Sequence, residues 1–142
     1  MSSGEPPVGM ALDATATTLG RAFDAALAVA GGSRPVWLVL AAVTSTDART
    51  QGELAATVGV RQPTLSSHLD GMERAGPVTR SRDAGNRRVQ RIAVTEAGER
   101  LFLRLRRAAA AFEGRLLAGL DDDDVATLRR LLAQLEENAR PD

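Results

Sequence analysis

At 142 residues the chain has the length of one domain, and 44% apolar but only 3% aromatic content gives it a globular, thin, alanine-rich core. The 18 basic and 18 acidic residues cancel, and no cysteine is present, which excludes disulfides, thiolate metal sites and thiol-based redox sensing. A single histidine, His68, excludes a multi-histidine metal site, and no cofactor is expected.

The N-terminus has no basic patch followed by an apolar stretch, and no run of about 20 apolar residues occurs. No membrane partner is expected, and a cytoplasmic location is the default. Every basic residue is arginine, which fits a GC-rich bacterial genome. Residues 1–10, with two prolines, read as a flexible arm. Leu12, Ala16, Leu19, Phe23, Leu27 and Ala30 then recur at helical steps until Gly31-Gly32. Pro35 suits a first helical turn. The apolar run Val36–Val43 fits a helix or a buried strand, and its surroundings favour helix. Gln51 to Val58 reads as a short helix ended by Gly59, and Pro63 to about Ala75 as another, ended by Gly76-Pro77. Residues 78–82 and 88–94 alternate as two short strands around a tip at 83–86. Thr95 caps a long helix, and Asp121 caps a last one with an apolar seam at Val125, Leu128, Leu132 and Leu135.

The informative stretch is residues 51–76, two helices joined by a tight turn at Gly59-Val60-Arg61. Leu65, Leu69 and Met72 lie on one face of the second helix, where Leu54, Val58 and the small Ala55 of the first can meet them. The opposite face carries Gln62, Thr64, Ser66 and Ser67, short polar side chains suited to a major groove. An ordinary helical hairpin has the same pattern, and the strand pair after the second helix distinguishes the two. Arginines 80, 82, 87, 88 and 91 lie on that pair, and seven arginines face three acids between Val60 and Arg91. A basic hairpin directly after a recognition helix is a wing, able to reach phosphates or the minor groove.

The segment from Glu53 to Leu101 resembles the core of MarR-family regulators in its helix-turn-helix, its D-x-x-x-R-R-like wing and its V-T-E-x-G phrase. The resemblance implies a mainly α fold with a small two-stranded wing: a winged helix-turn-helix domain over 33–94, and dimerisation helices over 11–32 and 95–139. It implies a regulator, chiefly a repressor, that binds double-stranded DNA as a homodimer with half-sites about 34 Å apart. Arg61, Gln62, Pro63, Thr64, Ser66, Ser67 and His68 are the recognition-helix candidates, and Arg82, Arg87, Arg88 and Arg91 the wing candidates. It further implies release by a small aromatic or anionic effector, with Arg21, Trp37 and Arg107 as candidate pocket residues. Three positions depart from the family pattern: Ser67 replaces a common arginine, Asn86 a usual aspartate that partners a wing arginine, and Pro77 a common leucine.

An enzyme is the main rival reading. The chain lacks a nucleophile–base pair and a glycine-rich phosphate loop after a strand. The Asp121–Asp124 run has no calcium-loop spacing and suits a helix start. A protein-interaction winged helix is the other rival, kept open by the zero net charge.

Overall fold

In the computed structural model, which describes residues 4–141, eight elements follow one another. They are α1 (Val8–Val29), α2 (Arg34–Ser45), α3 (Gln51–Val58), α4 (Gln62–Ala75), β1 (Val78–Arg82), β2 (Gln90–Val94), α5 (Glu96–Leu116) and α6 (Asp122–Ala139). The winged helix-turn-helix expected from the sequence is present. No single helix among the described residues is long and apolar enough to cross a membrane.

The expected arm over 1–10 is helical from Val8, and its first three residues lie outside the described ones. Pro7 holds φ −52° at the N-cap, and its carbonyl accepts the Ala11 N–H at 3.0 Å, closing the first turn. Gly31, at φ +97°, ends α1 in a conformation that a side chain would resist. The ambiguous run 36–43 is helical. Ser33 caps it by accepting the Val36 N–H, and Pro35 sits in its first turn.

The chain packs as two compact units, Met1–Ala109 and Ala110–Asp142. In the first, Leu27, Leu40, Leu54, Leu65, Leu69, Ile92 and Leu105 are fully buried. The core thus joins α1, α2, α3, α4, β2 and the first part of α5. Leu27, Leu101 and Leu105 share one core with the helix-turn-helix. In the second unit α6 opens on a capping box, in which Asp121 accepts the Asp124 N–H at 2.8 Å and Asp124 accepts that of Asp121 at 3.0 Å. This reciprocal cap accounts for two acids of the Asp121–Asp124 run, and no metal-binding cluster occurs among the described residues.

β1 and β2 pair antiparallel, Val78 opposite Val94 and Arg82 opposite Gln90. The wing is anchored at both ends. The Ile92 N–H donates to the Arg49 carbonyl at 2.7 Å, and the Thr95 N–H to the Pro77 carbonyl at 3.1 Å. Thr95 Oγ1 also donates to the Gly76 carbonyl at 2.6 Å and accepts the Gly98 N–H at 3.0 Å. This brings Gly98 so close to the chain that a Cβ there would lie 2.0 Å from the Pro77 oxygen. Gly98→Ala is therefore expected to destabilise the fold by about 3 kcal/mol, lowering a thermal melt by about 10 °C. An unchanged melt would show that the wing base is not held this tightly.

Candidate nucleic-acid interface

α4 begins at Arg61-Gln62-Pro63, where Arg61 is extended (φ −73°, ψ 149°) and Pro63 sits in the first turn. It ends at Gly76, in the left-handed conformation at φ +107°. Leu65, Leu69 and Met72 anchor one face in the core. At about 100° per residue, Pro63, Ser67, Asp70 and Arg74 then point away from the core. Gln62 and Ser66 occupy the flank toward the wing and share a cleft with Arg88 and Gln90. Arg61, Gln62, Pro63, Thr64 and Ser67 are exposed, and Ser66 is half-buried.

The hairpin tip runs over 83–89, and β2 begins at Gln90, two residues later than the sequence alternation predicts. A compact hydrogen-bond set explains the longer tip. The Asp83 carboxylate accepts the Gly85 and Asn86 N–H groups at 3.1 Å each and pairs with the Arg91 guanidinium. Asn86 Oδ1 accepts the Arg88 N–H at 3.1 Å, and the Arg82 guanidinium donates to the Arg87 carbonyl at 2.7 Å. The carboxylate that Asn86 lacks is thus supplied by Asp83. Arg91, followed by backbone donors at Gly85 and Asn86, holds the Asp83 carboxyl below its ordinary value. A depressed carboxyl pKa favours the folded tip above the unfolded value and loses that contribution as pH falls through the folded one, so the pair persists at neutral pH.

Arg82 and Arg91 are therefore engaged inside the hairpin. Arg87 and Arg88 are exposed and have no ion-pair partner among the described residues. A short polar helix end thus stands beside a hairpin tip with two unneutralised guanidinium groups, a surface suited to a groove and its phosphates.

A family model described as the MarR family matches residues 31–89, from the turn before α2 to the wing tip. The transcriptional regulator PA3341 is 32% identical, with a TM-score of 0.73 over 93% of this chain and 97% of its own. The M. tuberculosis transcriptional regulator MOSR, in complex with DNA, is 28% identical, with a TM-score of 0.74 over 94% and 96%. The transcriptional repressor CouR, bound to a 23-mer DNA duplex, is 26% identical, with a TM-score of 0.81 over 92% of each chain. The chain belongs to the MarR family. MarR proteins are DNA-binding transcriptional regulators and not enzymes.

This MarR protein places some candidate residues away from the helix–wing surface. His68 is half-buried on the other flank of α4, in a cleft with Ser33, Ser67, Leu101 and Arg104. Ser67 faces both that cleft and the outer side of the helix. Trp37 stacks on Phe102 with ring centroids 5.4 Å apart, against the core. Arg21 and Arg107 are exposed on α1 and α5, and none of these three lines that cleft.

Two arginines that matter to the MarR frame have partners that the sequence does not reveal. One Nη1 of Arg49 donates to the carbonyls of Val43, Thr46 and Ala48 at 2.8–2.9 Å, tying the end of α2 to the strand base. Arg80, counted among the hairpin's basic residues, pairs with Asp70 and Glu73 of α4. Nothing in the spacing identifies either partner set.

Proposed function

We propose that this MarR protein is a sequence-specific, homodimeric transcriptional repressor that binds a pseudo-palindromic operator. The observation that carries this reading is the exposed polar N-terminal turn of α4 beside the unpaired Arg87 and Arg88. Gln62, Pro63, Thr64, Ser66 and Ser67 read bases in the major groove, and Arg61, Arg87 and Arg88 contact phosphates or the minor groove. Arg82 and Arg91 serve the tip's shape, and His68 faces the effector side. Repression is supported by the likeness to CouR, a repressor bound to duplex DNA.

Homodimer formation is supported by apolar surface that one chain leaves uncovered. Leu128, Leu131, Leu132 and Leu135 of α6 are 39–47% exposed, and α6 has no buried residue. Val8, Met10 and Leu12 of α1 are exposed as well. Two copies related by a two-fold axis present two α4 helices to half-sites about 34 Å apart. A DNA regulator of this composition acts in the cytoplasm.

The effector, a small aromatic or anionic molecule, enters the cleft of about 450 Å³ between the start of α2, α4 and the start of α5. Arg104 and His68 supply its polar contacts, and Val36 and Leu101 its apolar wall. Binding there acts only through a difference in affinity between DNA-competent and incompetent dimers.

Selection of bound duplexes from a random pool tests the reading. Recovery of an inverted repeat with half-site centres about 10 base pairs apart is the expected result. Retention of random duplexes with no common motif would leave only unspecific phosphate binding. No retention at low salt would favour a protein-interaction role.

A further inference from the structure

The wing and the recognition helix are separate elements, yet DNA must meet both in one register. Among the described residues, one set of ion pairs joins them. The Arg80 guanidinium, on β1, bonds the Asp70 carboxylate and reaches Glu73 Oε1 at 3.3 Å, both on α4. The Arg80 backbone N–H donates to the other Glu73 oxygen at 3.1 Å. The Arg80 side chain is only 17% exposed, against 53% and 42% for the two acids. Asp70, followed by Glu73, holds the guanidinium protonated even more firmly than a free arginine. Three bonds from two carboxylates thus fix one strand position against two successive helical turns.

Resting on the DNA-binding reading above, we propose that Arg80 is a positioning residue. It locks the wing to the recognition helix, so that Arg87, Arg88 and the first turn of α4 meet DNA as one rigid fork. Glu73 lies on the flank of α4 that carries Gln62 and Ser66, and Asp70 borders that flank and the outer face, in a cleft shared with Ser66 and Arg80. Gly76-Pro77 and the Thr95 bonds still connect the two elements without Arg80, so the fold survives its loss. What is lost is angle. A rotation of about 10° at the clamp displaces the wing tip by on the order of 2 Å, more than a set of hydrogen bonds tolerates. Arg80 itself makes no phosphate contact, since its guanidinium is enclosed and neutralised by two acids.

The test uses the full-length protein, an operator recovered by selection, a random duplex and a salt series. Two variants change local charge in opposite directions: Arg80→Gln removes a positive charge, and Asp70→Asn with Glu73→Gln removes two negative ones. Both are expected to lower the operator-to-random affinity ratio by about 10-fold, near the loss of one base contact, with the salt slope unchanged. A fall in salt slope with Arg80→Gln, by about 0.9 per chain, would make Arg80 a phosphate contact and overturn the proposal. An intact ratio in both variants, with only a lowered melting temperature, would reduce the clamp to a stability element and overturn it too. Failure of the unaltered protein to bind any duplex strikes the DNA-binding reading instead.

Discussion

Replacing Arg87 and Arg88 together with alanine is expected to weaken binding to any duplex by on the order of 100-fold or more and to flatten its salt dependence. The hairpin's arginines are not equivalent. Arg80 and Arg91 are neutralised by Asp70, Glu73 and Asp83, and Arg82 is bonded to the Arg87 carbonyl. That leaves Arg87 and Arg88 at the tip, with Arg61 at the start of α4, as the charges available for phosphate. Each phosphate contact contributes about 0.9 to the slope of log affinity against log salt. Six contacts in the proposed dimer give a slope of about −5, and the double variant leaves about −2. Charge alone is removed, because both side chains point outward and neither guanidinium enters the hydrogen bonds of the tip. Operator and random duplex should weaken together, since phosphates carry no sequence. Affinity measured between about 50 and 200 mM salt decides it. A slope that stays steep in the double variant would move the DNA surface off the wing.

The helices are legible in the sequence because their ends are written in residues with fixed backbone preferences: Gly31, Gly59 and Gly76 at positive φ, Pro35 and Pro63 in first turns. The run 36–43 is legible only through its surroundings, because a continuous apolar segment satisfies helix and strand alike; the cap at Ser33 starts it as a helix. The role of Gly98 is visible only as a family phrase, and its cause is the approach of the Pro77 carbonyl. The wing's charges are legible as a cluster, but their partners are not. Asp70 and Glu73 lie ten and seven residues from Arg80, on a different element, and only the folded register of β1 on α4 brings them together. Arg87 and Arg88 stand out as available only after those pairings are known. The stacking of Trp37 on Phe102, 65 residues away in the chain, is likewise invisible in the spacing.

Leu128→Asp combined with Leu132→Asp is expected to convert the proposed dimer to a monomer and to remove tight operator binding. The two leucines lie one helical turn apart on α6, flanked by Leu131 and Leu135, and all four keep 39–47% of their surface exposed. An exposed helix has no reason to repeat apolar residues at 3-4-3 spacing, as Val125, Leu128, Leu132 and Leu135 do, and an apolar strip left in water is a docking surface. Fully burying one leucine contributes roughly 1.5–3 kcal/mol, so even partial burial of four from each copy supplies several kcal/mol toward association. Aspartate at two of these positions replaces that gain with desolvated, mutually repelling charge. The mass in solution should fall from twice 15.0 kDa to the single-chain value. Binding then rests on one half-site, without the high effective concentration that the second one provides, and operator affinity should drop by on the order of 100-fold or more. Helix content by circular dichroism should hold, because both side chains are already exposed on α6. A milder pair, Leu128→Ala with Leu132→Ala, should weaken the dimer in the same direction while preserving helix propensity. Aspartate variants that remain dimeric with unaltered operator affinity would mean that α6 is not the surface joining two copies.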